Sequence, residues 1–223
     1  MPRNRTKAGS RSSVATARSL AIEFVELERE RRASGRSLVE HLCGSQPAVD
    51  ETLHYPDNDC QDTGTGAQYF LHRHDSDGVG VTTHLHVFKR WSTPEIKNAG
   101  LDNTITHLVA FEIDATGAAS HCFSVNQWVV GDYWLGAAPT VALFEGWQFD
   151  LQSNRVQGTW AFWHRWVAGL VAYYLHGPVI KSLQARDEAL DGLIEQYPDR
   201  NVLQDRSFEV FGRLALPVPK LVV

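Results

Sequence analysis

The chain has 223 residues, 43% hydrophobic and 21% charged, with a formal net charge of −5. That length suits one sizeable core or at most two small domains, and the composition is that of a soluble globular protein. The acidic balance offers nucleic acid or an anionic membrane no overall attraction. Cys43, Cys60 and Cys122 show no C-x-x-C spacing, which argues against a disulfide scaffold or a thiolate zinc site and fits a reducing, cytoplasmic setting.

Residues 1–13 carry Arg3, Arg5, Lys7 and Arg11 with no apolar run behind them. They read as a flexible basic tail rather than a secretory signal, although an acid-free, Ser-containing start also resembles an organelle transit peptide. Residues 14–45 read as a helical arm. Leu20, Phe24 and Leu27 fall at i, i+4 and i+7, and the Glu and Arg run from Glu23 to Arg32 supplies a solvated face. Gly35 fits the position just past the helix, and Ser37 with Glu40 forms a capping-box pattern for a short second helix. From 46 to 223 one α+β domain is expected.

Residues 46–66 are rich in Pro, Asp, Asn, Thr and Gly and read as loop. About five strands follow in an antiparallel sheet. Gln68–His74 and Thr82–Arg90 alternate well and are joined through a Gly/Asp-rich reversal. Ile105–Ile113 and Ala118–Val125 flank Asp114-Ala115-Thr116-Gly117, a strong turn signal. Ser207–Val218 is the last strand. Strict alternation puts His107 with Val109, Phe111 and Ile113, and Glu112 on the other face. Between the fourth and last strands the pattern turns helical, first over Pro139–Phe149. Trp160–His176 is apolar nearly all round but short for a membrane span, so a buried core helix is the better reading. Gly177-Pro178 breaks it, and Val179–Tyr197 follows with one apolar stripe. Strands, then helices, then a returning strand make the class α+β, with the sheet packed on C-terminal helices.

The unusual feature is histidine. Ten residues spread evenly would put about 0.7 in a 15-residue window; His72 to His86 holds four, as two His-x-His pairs. Residues two apart on a strand share a face, roughly 6.5–7 Å apart at the backbone, which suits convergence on one ion. Neutral imidazole is the commonest transition-metal ligand, and an all-nitrogen set suits iron, copper, zinc or nickel over magnesium and calcium. The candidate metal ligands are His72, His74, His84 and His86. His107 joins them because meander topology sets its strand beside the His84/His86 strand. A polar, metal-free pocket using histidines as acid/base groups is the alternative. In the preceding loop His54 and Asp59 can fold back as catalytic groups, and Tyr69, on the strand Gln68–His74, is a further catalytic candidate. Gln68, Phe88, Asn126 and Trp128 are candidate pocket residues, with the helices after Pro139 as expected walls.

HYPDND, GAQYFLHRH, HLHVF, THLVAFEID and NQWVVGD, in that order and followed by a Trp-rich helix, resemble an uncharacterised bacterial family, a domain of unknown function. The matching positions include His54, Pro56, Asp59, Gln68, Tyr69, His72, His74, His84, His86, Phe88, His107, Asn126, Trp128 and Gly131. Two departures fall at the mouth of the site: a longer turn between the histidine pairs, and Phe70-Leu71 where the family pattern implies tyrosines. The resemblance implies a location and no activity. From the residues, the leading expectation is a mononuclear non-haem iron or copper oxidoreductase acting on a small apolar or aromatic molecule. A zinc-type lyase or hydrolase and a non-catalytic metal- or haem-binding protein are the alternatives. Oligomeric state is not written in the sequence.

Overall fold

A computed structural model describes residues 8–43, 53–76, 80–94, 104–151 and 157–220; the side chains of 8–16, 43, 74–76, 80 and 81 lie outside that description. Residues 1–7 of the basic tail therefore fall outside it. Helix α1 runs over Ala8–Ser34, starting earlier than its apolar pattern, and Gly35 ends it at φ 66°. Helix α2 spans Leu38–Cys43, with the Ser37 hydroxyl accepting the Glu40 N–H.

Six strands form one antiparallel meander in chain order: β1 Tyr55–Gln61, β2 Ala67–Ser76, β3 Gly80–Trp91, β4 Thr104–Ile113, β5 Ala119–Val125 and β6 Val210–Ala215. The sixth is β1, which lies in the segment expected to be loop. Its Pro, Asp and Asn residues are tolerated because it is an edge strand whose pairing with β2 is interrupted between Tyr55 and Cys60. The β4–β5 reversal is as expected, with Asp114 Oδ1 accepting the N–H groups of Thr116 and Ala118.

One face of the sheet carries Tyr69, Leu71, Leu85, Val87, Leu108, Val109, Phe111 and Cys122 into the main core. Helix α5, Gly158–Tyr174, covers it with Trp163, Trp166 and Leu170, all buried. This is the near-uniformly apolar segment, and it is a core helix. No helix among the described residues is long and apolar enough to cross a membrane. Gly177-Pro178 marks a break between two helices, as expected: His176 is non-helical at φ −80° and ψ 20°, and a π-type turn over Leu175–Val179 carries the kink between α5 and α6, Ile180–Gln196. Where a helix over Pro139–Phe149 is expected, α4 is only Ala137–Ala142, and turns follow it.

Helix α1 lies along α5 at very close range: a Cβ at Gly169 would sit 2.7 Å from Phe24 Cβ. Its charge run is only partly solvated. Glu28 and Arg31 are 4% and 2% exposed, and Glu28 also takes Trp166 Nε1 at 3.0 Å and Arg32 Nε at 2.8 Å. Arg31 reaches the carbonyl of Thr116 at 2.7 Å, so it ties the arm to the β4–β5 turn. Burial alone would raise the Glu28 carboxyl; the hydrogen bonds from Arg31, Arg32 and Trp166 outweigh it and hold it below the usual carboxylate range.

Candidate metal centre

The other sheet face carries the histidines. Register pairs Gln68 with Phe88, Phe70 with His86 and His72 with His84 across β2 and β3. Alternation then aims Gln68, Phe70, His72, His84, His86 and Phe88 the same way. β4 departs from strict alternation. Val87 pairs with Val109 and Phe88 with His107, leaving Leu108 as an extra residue in a bulge. Leu108 and Val109 both enter the core, while His107 turns to the histidine face. The expected grouping of His107 with Val109 is therefore corrected. Glu112, read as facing away from His107, is on its side of the sheet, directly opposite His84.

His72, His84 and His86 offer ring nitrogens that all lie within 4.8 Å of one another and could hold a metal ion. His72 Nε2 and His86 Nε2 are 3.0 Å apart. That is a hydrogen-bonding distance, and the same separation would suit one edge of a metal site: two nitrogens at ~2.0–2.1 Å from one ion lie roughly 2.9 Å apart at a right angle and ~3.3 Å apart in a tetrahedron. His107 is outside that group of three, and its Nε2 lies 3.2 Å from His86 Nδ1. Buried at 5% exposure, His107 is held neutral: desolvation, helped by Arg186, pushes its pKa down to about 3. The side chain of His74, on β2 opposite Thr82 of β3, lies outside the described residues.

Beside the cluster is a cavity of about 480 Å³. His72 and His86 form its floor together with Phe70 and Phe88. His54 stacks face to face on Phe70 at 3.7 Å, and Phe70 stacks in turn on His86 at 5.4 Å. His54 Nδ1 lies 3.1 Å from Asp59 Oδ1, Asp59 Oδ2 accepts Gln68 Nε2 at 2.6 Å, and Gln68 Oε1 accepts Arg90 Nε at 2.7 Å. Asp59 has φ 52°, a left-handed backbone that a non-glycine residue adopts at a cost and often at functional sites. His54 and Asp59 line the same cavity as His72 and His86.

The walls differ from expectation. The helices after Pro139 pack the opposite sheet face. The wall here is α3, Gln127–Val130, a single turn that contributes Trp128, Val129 and Val130. Asn126 is fully buried but serves as the cap of α3, its Nδ2 donating to the carbonyls of Val202 and Phe208. It fixes the wall without lining the cavity. Tyr69 is on the helix-packed face, with its hydroxyl 3.0 Å from His164 Nδ1. Burial raises the Tyr69 phenol well above its ordinary range.

Sequence reasoning sets Phe70 at the mouth of the site without naming it a pocket residue, and it passes over Arg90 and Asp132. Arg90 was within reach, since it shares the alternation of the histidine face. Asp132 was not: its Oδ2 accepts the backbone N–H of His107 at 2.6 Å, across 25 positions of sequence.

The family described as Domain of unknown function (DUF6969) matches the chain over residues 18–216. No curated protein and no solved structure matches it.

Proposed function

The chain belongs to the DUF6969 family, and we propose that it is a transition-metal protein whose ion is held by His72, His84 and His86. The observation that carries this reading is the convergence of three imidazoles from two adjacent strands to within 4.8 Å, two of which, His72 and His86, line a cavity. Three neutral nitrogen ligands leave coordination positions open, and bound iron or copper would supply one-electron chemistry there. The reaction that fits best is oxidation or reduction of a small apolar or aromatic molecule. Supporting this are the aromatic lining residues Phe70, Phe88 and Trp128 with Ile105, Val129 and Val130 around the same space.

His54 is the proton-handling group of this proposal. Its Nδ1 faces Asp59, which orients the ring, and Gln68 and Arg90 fix the carboxylate in turn. The same pair favours a second reading, a zinc-type lyase or hydrolase, in which the ion acidifies water and His54 moves the proton.

The test is elemental analysis of protein expressed with iron, copper, zinc and manganese all present. About one transition-metal ion per chain is expected, as for one site, and His84→Ala should remove it while leaving the far-ultraviolet circular dichroism unchanged. A metal-free wild type, or full occupancy in the variant, overturns the assignment. Identity of the retained ion separates the two readings.

A further inference from the structure

We infer that His107 is a positioning residue for the ligand His86 rather than a ligand itself, and that the β4 bulge capped by Asp132 exists to place it. The inference rests on the metal reading above for its consequence, but its geometry stands alone.

His86 uses both edges of its ring. Nε2 faces His72 Nε2 at 3.0 Å and Nδ1 faces His107 Nε2 at 3.2 Å. The two nitrogens of an imidazole point away from each other, so a group hydrogen-bonded at Nδ1 stands behind the ring that presents Nε2. The contact with His107 can run in two directions. If His107 donates, His86 must carry its proton on Nε2 and has no lone pair there. If His86 Nδ1 donates, Nε2 keeps a lone pair aimed at the His72 nitrogen. Only the second direction makes His86 a ligand, and a ligand histidine characteristically donates its other N–H to such an outer partner.

His107 is in place because of a chain defect. The extra residue, Leu108, lets both Leu108 and Val109 enter the core while His107 turns outward. The bulge interrupts the regular β3–β4 ladder, and the His107 backbone N–H is taken by Asp132 Oδ2 at 2.6 Å. Asp132 is 6% exposed, and its other carboxylate oxygen is buried with no partner among the described residues. The next residue, Tyr133, donates its N–H to the Ile105 carbonyl at 2.8 Å, so residues 132 and 133 run alongside β4 at this point. Alignment of His86 is thus built from Asp132 through the His107 backbone and ring.

Two measurements test this. The first is zinc affinity by competition with a chromophoric chelator for wild type, His107→Leu, His107→Gln and His86→Ala. His107→Leu should bind one zinc at saturation but 10–100-fold more weakly, the usual cost of losing an outer partner. His107→Gln, whose Oε1 can accept from His86, should recover most of that loss. Unchanged affinity in His107→Leu, or loss of binding in both His107 variants equal to His86→Ala, overturns the inference. The second is the long-range ¹⁵N–¹H spectrum of the metal-free wild type. It should show the His86 ring proton on Nδ1; a proton on Nε2 contradicts the proposal. This second readout decides the role of His107 even if the wild type takes up no metal, in which case the metal reading alone fails.

Discussion

The chain contains histidines of sharply different character, and their surroundings, not their spacing, separate them. His164 lies on α5 on the opposite side of the sheet from the cluster, stacked flat on Phe149 at 4.3 Å and 3.0 Å from the Tyr69 hydroxyl. Desolvation lowers its pKa from 6.5 to about 4, with the nearby His41 adding to the shift and Asp62 opposing it. A group whose folded pKa is depressed binds more protons unfolded, so its stability contribution is full above pH 6.5 and is lost as pH falls through 4. With the ring only 7% exposed, that loss is on the order of 3 kcal/mol. Denaturant unfolding at several pH values should show the decline in wild type and a shallower one in His164→Gln. Equal slopes would mean the buried ring is not the titrating group. Cys60 and Cys122, also buried, have thiols pushed up to about 12 by desolvation, so neither is a ready thiolate ligand.

At the scale of elements, the most informative departures from the sequence reading are β4 and α1. Strict period-2 alternation described β2 and β3 correctly, and with them the shared face of His72, His84 and His86. It could not describe β4, because a bulge shifts side-chain parity without a composition signal. Likewise β1 is hidden behind Pro56, Asp57 and Asn58, since its place in the sheet comes from pairing with β2 and not from its own propensity. The Glu/Arg run of α1 looks like any solvated face in one dimension. Only the approach of α5 shows that Glu28 and Arg31 are enclosed between Trp166 and Thr116. Breaking such a buried pair strands a charge, so Glu28→Ala should cost about 3–5 kcal/mol, measured by urea unfolding. Glu26→Ala, only two residues away but in an exposed pair with Arg29, should cost well under about 1 kcal/mol. Similar effects of the two substitutions would refute the enclosed network. Gly169→Ala tests the same seam from the other side: with Phe24 Cβ 2.7 Å from the added methyl, a loss of roughly 1–3 kcal/mol from overpacking is expected.

For the molecule as a whole, the meander divides its labour between two faces. Among the described residues, one face is committed to the core with α1 and α5, and the other carries the single-turn helix α3, His54 and Asp59 from the β1 edge, and the histidines. That division was half visible in the sequence. The alternation placed a polar and aromatic face on the central strands, and the Trp-rich helix was recognised as core. The wall of the cavity was misplaced because α3 has only four residues, too few for any periodic signal, and is fixed by Asn126 bonding to carbonyls some 80 positions away. Long-range contacts of that kind leave no local pattern. The most direct measurement of the central claim is X-ray absorption at the edge of the metal retained by the purified protein. The fine structure should fit about three imidazole nitrogens at ~2.0–2.1 Å, with His84→Ala or His86→Ala lowering the imidazole count or removing the ion. A shell dominated by sulfur or by carboxylate oxygen, or the same imidazole shell in both variants, would contradict the assignment to His72, His84 and His86.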